Sequence, residues 1–262
     1  MMRSLYTAAT GMDAQQTKMD TIANNLANAN TTGFKKSRAD FEDLLSESIR
    51  SPGAPTPNGG SAPVPLQVGL GVRTSGTSRS FSQGDAEATE NPLDLAIQGD
   101  GLFRVTQPNG EFGYTRAGNF KVDAEGRLVT MRGELVEPQI TFPKDTTAVT
   151  INEQGVVSVE TTDTKGKPHE VGQLELCTFV NPAGLSAIGG NLYVETLASG
   201  AAIIGRPGEQ GAGSIRQGAL EGSNVKAVEE MVAMISTQRS YELNSKVIQT
   251  ADQMLQKLTN LR

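Results

Sequence analysis

The chain is poor in the residues that most enzyme chemistry requires. Its 262 residues include one histidine, one cysteine and no tryptophan. One histidine excludes HExxH and every multi-histidine metal site. One cysteine, Cys177, excludes an intrachain disulfide and says nothing about compartment. It lies in "LELCTF", whose alternation makes it a packed strand residue rather than a nucleophile. His169, in "TKGKPHE", reads as a solvated residue near a hairpin tip. No Walker A or GxGxxG pattern occurs, and "GDG" at 99–101 precedes a strand pattern rather than a helix, so it is a tight turn. In "GLSAI" (184–188) the closing glycine of a nucleophile elbow comes one place late. No pair of carboxylates is marked out for glycoside hydrolysis. The expectation is therefore no catalytic residue, no cofactor and no metal.

Other absences concern location and partners. No apolar run approaches the ~20 residues of a membrane helix. The first twenty residues carry no apolar h-region, so no cleaved leader is expected and export would need another route. A net charge of −6 and a pI near 5.0 argue against nucleic acid. The one basic stretch with an aromatic, "GFKKSR", reads as a solvated face carrying a packed Phe34.

What is abundant is glycine, 29 residues, and a division of charge. Residues 1–50 hold six basic and six acidic side chains, and residues 225–262 hold five and four. The total of −6, less 0 and +1, leaves −7 for the middle. The ends look built for burial and the middle for water.

Residues 4–30 predict a helix. Leu5, Met12, Met19 and Leu26 fall seven apart, with Ala8, Gln15, Ile22 and Ala29 three later, an a/d heptad. Asn24, Asn25, Asn28 and Asn30 crowd its end although asparagine is a poor helix former. A side-chain amide both donates and accepts, so between packed helices it can fix one register. Some of these amides could equally face solvent. Thr31-Thr32-Gly33 stops the helix, with Gly33 as a left-handed cap. Residues 225–261 predict a second helix. One stripe is Val225, Val228, Val232 and Ile235, and another is Met234, Tyr241, Ile248 and Leu255. Gln238, Arg239, Glu242 and Asn244 are polar groups that could answer the asparagines.

Between the helices, residues 31–90 read as a connection. Its stretch 51–72 is dense in proline and glycine, with Pro52, Pro55, Pro57, Pro63 and Pro65, and it becomes a strand near Leu66–Val72. Residues 91–224 alternate across turn signals such as Pro-Asn-Gly and Ala-Glu-Gly, which predicts hairpins and an antiparallel β domain. The fold class is α+β. Residues 1–30 and 225–262 form a coiled-coil-like helical domain around a central β domain.

"AATGMDAQQTKMDTIANNLANANTTGFKKSRADFEDLL" resembles the N-terminal signature of bacterial flagellar rod and hook proteins, and "LEGSNVKAVEEMVAMISTQRSYELNSKVI" resembles their C-terminal one. "DLAIQGDGLFRV", "YTRAGNF", "NPAGLSAIGGNLYVET" and "GAGSIRQGALEGSNV" resemble the β domain of that family. The likeness covers essentially the whole chain. The length and the proline-rich connection are similar to distal-rod members; proximal-rod and hook-type members are the nearest alternatives. A cell-wall-glycan-acting β domain with helical arms is the rival outside the family.

The resemblance implies a self-assembling helical tube, a homopolymer that transmits motor torque to the hook. Its implied partners are proximal rod and hook proteins, the outer rings, a rod cap and the flagellar export apparatus. The implied location is the basal body, in the periplasm toward the outer membrane. Assembly contacts would fall on the heptad residues, the asparagines, Gly33, Phe34 and the polar groups of the second helix. The five prolines would form a stiffening strap.

Overall fold

A computed structural model describes residues 2–52, 64–162, 168–209 and 211–260. Pro55, Pro57 and Pro63 lie outside the described residues. The chain divides into two compact units. One comprises residues 1–26, 37–78 and 227–262, and the other 27–36 and 79–226.

The first unit contains helices α1 (Met2–Ala27) and α2 (Ala227–Asn260). Between them in sequence come β1 (Ser37–Asp43), β2 (Glu47–Arg50), β3 (Leu66–Val68) and β4 (Val72–Arg79). β1 pairs with β4, and β2 pairs antiparallel with β3. Residues 37–78, expected as part of a connection, thus carry strands that group with the helices. Glu229 and Glu230 in the first turn of α2 and Lys257 in its last suit the helix dipole. Its 34 residues span about 51 Å at a rise of about 1.5 Å each. The unit's core is thin. Its buried apolar side chains are mainly Ala8, Ala14, Ile22 and Ala251.

α1 ends at Ala27, three residues before the expected end. Asn28 begins a run of turns instead. The Thr31 amide donates to the Asn28 carbonyl (3.1 Å) and the Phe34 amide to the Thr31 carbonyl (3.2 Å). The Thr31 hydroxyl meets Asn28 Oδ1 at 3.2 Å, the local side-chain competition that makes Asn and Thr poor at continuing a helix. Gly33 does have a left-handed φ of +69°, but six residues beyond the helix. It is therefore not the helix cap.

The second unit is the β body. In chain order it holds β5 (Ala86–Ala88), β6 (Leu95–Gln98), β7 (Leu102–Thr106), β8 (Phe112–Thr115), β9 (Lys121–Val122) and β10 (Leu128–Val129). β11 (Leu135–Glu137), β12 (Thr146–Ile151), β13 (Val156–Thr161), β14 (His169–Gln173) and β15 (Leu176–Thr178) follow. The last are β16 (Ser186–Gly189), β17 (Leu192–Val194), β18 (Ile203–Gly205), β19 (Ser214–Gln217) and β20 (Ala219–Glu221). The main sheet runs β16-β17-β8-β7-β11-β10-β9, with β15 joined to β7 and β18. β12-β13-β14 form a separate sheet, and β19-β6 and β20-β5 form two-stranded pairs. Among the described residues the strand pairings of this unit are antiparallel, as the alternation predicts.

The β7–β8 hairpin turns at Gly110 and the β9–β10 hairpin at Gly126, both at positive φ where a side chain would be strained. The core stacks Phe103 edge-on to Phe120 at 5.0 Å, with Val105, Leu128, Val157 and Leu176 around them. A smaller cluster holds Leu102, Tyr114, Phe179, Tyr193 and Cys177. Burial pushes the Cys177 thiol up to about 11, so it stays protonated and unreactive at neutral pH.

Candidate assembly surface

α1 and α2 run antiparallel. Asn25 Nδ2 donates to Glu230 Oε2 at 3.2 Å, and a Cβ added to Gly11 would lie 2.9 Å from Asn244 Nδ2. Moving 14 residues back along α1 (25 − 11) moves 14 forward along α2 (244 − 230), which fixes the register. The seam is made of small and polar residues. α2 buries Glu230, Thr237 and Ala251 on one heptad line, with Asn244 half-buried between them. The expected line Met234, Ile248 and Leu255 flanks it half-buried, and Tyr241 is exposed. On α1, Ala8 and Ile22 are buried, while Leu5, Met12, Met19 and Leu26 are half-buried. Gln15 Oε1 is buried and has no hydrogen-bond partner among the described residues, a further cost to the pair.

The asparagines behave differently from one another. Asn25 is buried and its partners lie in its own chain. It accepts from the Ser37 amide (2.9 Å) and donates to the Ser37 carbonyl (2.8 Å), besides Glu230. Asn24 and Asn30 are exposed and Asn28 is half-buried. Gln238, Arg239 and Glu242 are exposed on α2, so the partner that Asn25 meets is Glu230, earlier in the helix. Spacing could have found Glu230, because it continues the line of Thr237, Asn244 and Ala251.

α2 also carries a second apolar line that the other described residues of its unit leave largely open. Val228, Val232, Ile235, Leu243, Val247 and Met254 are each 44–69% exposed. Val225, expected on the same stripe, is instead buried at the end of the β body. Leu45 is 88% exposed and, with Tyr6, Leu44 and Leu70, lines an open groove of about 670 Å³.

The elbow after α1 is not a solvated face. Phe34 and Lys35 are both buried, and Lys35 completely. Its ammonium donates to Glu221 Oε1 (2.6 Å) and the Ser82 carbonyl (2.7 Å). Glu221, also buried, accepts from Arg116 Nε and from the Gly84 amide (2.9 Å). Arg116 spends its remaining donors on the carbonyls of Ile97, Gly99 and Gly101. Burial holds the Lys35 pKa below the ordinary lysine range, against the pull of Glu221.

Gly33 and Asn224 complete the junction. The Gly33 amide donates to the Glu221 carbonyl (2.8 Å), and a Cβ there would lie 2.6 Å from the Ala117 nitrogen. Asn224 takes the Lys36 amide on Oδ1 (2.7 Å) and donates to the Ser80 carbonyl (2.8 Å). Segments from the two ends of the sequence are thereby tied together within the β body. Of these residues the sequence reading picked out Gly33 and Phe34 but missed Lys35, Arg116, Glu221 and Asn224.

Pro52 and Pro65 are described, Pro65 beside β3. His169 opens β14 and is exposed. Among the described residues, no cluster of three or more His, Cys, Asp or Glu is placed to hold a metal ion.

Three families match along the chain. Residues 5–35 match "Flagella basal body rod protein", residues 96–159 match "Flagellar hook protein FlgE/F/G D1 domain", and residues 216–261 match "Flagellar basal body rod FlgEFG protein C-terminal". Full-length relatives agree. The flagellar basal-body rod protein FlgG of Borreliella burgdorferi is 51% identical over 100% of this chain and 99% of the relative. That of Caulobacter vibrioides is 49% identical over 100% of both. That of Buchnera aphidicola subsp. Baizongia pistaciae is 47% identical over 100% of both.

Proposed function

The chain belongs to the flagellar basal-body rod protein family, and from that premise we propose how it works. It is a structural subunit of the flagellar distal rod, which polymerises into a stiff tube and carries motor torque to the hook. It works beside the other axial proteins of the basal body, proximal rod and hook among them. Rings, a rod cap and the export apparatus are its further contacts, and its place is the periplasm toward the outer membrane.

One observation carries the assembly reading: α2 has an apolar line on its outer face as well as a seam toward α1. A helix apolar on two faces is written for more neighbours than one. The α1–α2 seam, rich in alanine, threonine and asparagine, buries little apolar area, whereas ordering a residue costs about 1–2 kcal/mol. Both helices are therefore expected to exchange their amide hydrogens rapidly in dilute monomer and slowly in polymer. Exchange mass spectrometry that finds residues 4–30 and 225–261 protected in monomer would refute this.

The proline-rich stretch 51–72 acts as a strap that limits sliding between neighbouring subunits. Proline fixes φ, so an extended run resists bending better than an ordinary loop. Deleting residues 51–65 should leave a polymer that curves. Electron micrographs showing a straight rod after the deletion would remove the strap from the account.

A further inference from the structure

The chain passes between its two units at 26/27, 36/37, 78/79 and 226/227. Torque carried along one subunit's covalent chain must pass through these crossings. A short crossing is ordinarily where a hinge forms, because a few φ and ψ angles can absorb a large rotation. The crossing at Lys36–Ser37 is built otherwise, with all four of its backbone polar groups taken. The Lys36 amide donates to Asn224 Oδ1 (2.7 Å), and the Lys36 carbonyl accepts from the Ser80 amide (3.0 Å). One residue on, the Ser37 amide donates to Asn25 Oδ1 (2.9 Å) and the Ser37 carbonyl accepts from Asn25 Nδ2 (2.8 Å). Each of these bonds lies inside one unit, those of Lys36 in the β body and those of Ser37 with the helices.

Asn224 does more than cover Lys36. Its Nδ2 donates to the Ser80 carbonyl (2.8 Å) and reaches the Ser82 carbonyl (3.2 Å) and hydroxyl (3.0 Å). Lys36, Ser80 and Asn224 stand just on the β-body side of three of the four crossings. One side chain therefore ties three crossings together. The task needs an acceptor for an amide and a donor for carbonyls at one point, which a side-chain amide supplies. Lys35 adds a second tie, since its ammonium bonds both the Ser82 carbonyl and Glu221. Asn25 does the matching work among the helices, where it joins Ser37 to Glu230.

Folding alone gives this amide little to do. Asn224 is half-buried and its bonds to Ser80 and Ser82 lie at the solvent edge. Water can stand in for such bonds at small net cost. A load makes a different demand. Water that replaces the amide satisfies each segment separately and transmits no shear from one to the next, whereas the side chain holds them in step.

We propose that Asn224 is a torsional staple: with Asn25 it makes the Lys36–Ser37 crossing a fixed torsion rather than a swivel, and the stiffness of the rod under load depends on it. This rests on the rod reading above. The test uses the full chain expressed in flagellated cells. In rods isolated from the parent, the Lys36 and Ser37 amides should exchange slowly. Asn224→Ala should speed exchange of the Lys36 amide about tenfold, the loss of roughly one hydrogen bond. Monomer melting should change little, while the isolated rods curve in electron micrographs. Asn224→Asp keeps the acceptor for Lys36 and loses the donor to Ser80, so it should protect that amide and still give curved rods. An amide with a merely structural role would shift melting and leave curvature alone. Straight rods from either variant, or parent rods whose Lys36 and Ser37 amides exchange freely, would overturn the inference alone. The parent-rod result holds even where Asn224→Ala does not fold. A parent chain that forms no rod would overturn the reading beneath it.

Discussion

Glu221→Ala should unfold the β body more readily than any surface change, by about 3–5 kcal/mol in denaturant titration of the full chain. The reason is what it leaves behind. Lys35 and Arg116 are both buried and both cationic, and Glu221 is the carboxylate between them. Without it two positive charges face each other in low dielectric, and the Gly84 amide loses its acceptor. Lys35→Met should behave differently. It removes the cation that burial already opposes and leaves Glu221 paired with Arg116, so its cost should be clearly smaller than that of Glu221→Ala. Equal costs for the two variants would show that the cluster is not organised around Glu221.

The same cluster has a pH signature. The folded pKa of Lys35 lies below its unfolded value, because burial penalises the charged form. As pH falls from about 10.4, the unfolded chain takes up this proton before the folded one does. Stability from this group is thus greatest above the ordinary lysine range and declines as pH falls toward the folded pKa. Lys35→Met should flatten that part of the profile.

How much of this could be read from the sequence varies residue by residue. The hairpins were legible because glycine marks positive φ at Gly110, Gly126 and Gly155, with alternating strands on either side. The helices were legible from heptads, yet the more deeply buried line of α2 is Glu230, Thr237 and Ala251, with Asn244 between, rather than the bulkier line beside it. Apolar size misled there, since a close helix pair selects small side chains. Lys35 was not legible. It stands next to Lys36 in "GFKK", and the carboxylate that buries one and not the other lies 186 residues away. β1, "SRADFED", shows no clear alternation because neither of its faces is deeply buried, and its partner β4 follows the proline-rich stretch. Local pattern cannot report a pairing of that kind.

Asn25 is where the helical and assembly arguments meet. One amide answers both backbone groups of Ser37 and reaches the Glu230 carboxylate. Asn25→Ala would strip the Ser37 amide and carbonyl of these partners in a part-buried setting, at a cost of up to about 1–3 kcal/mol in all. The expected result is a chain that stays soluble as monomer, because the β body folds around its own core, but whose helix pair is loosened. Rod yield and swimming-halo diameter should fall sharply. Asn25→Asp keeps the acceptor for Ser37 yet sets a second carboxylate against Glu230, so it should fail at neutral pH too. Asn30→Ala, at an exposed position, should stay within about 0.5 kcal/mol of the parent. If Asn25→Ala cells swim as well as the parent, the asparagines serve only to wet a surface, and the register of α1 on α2 is set by the small residues alone.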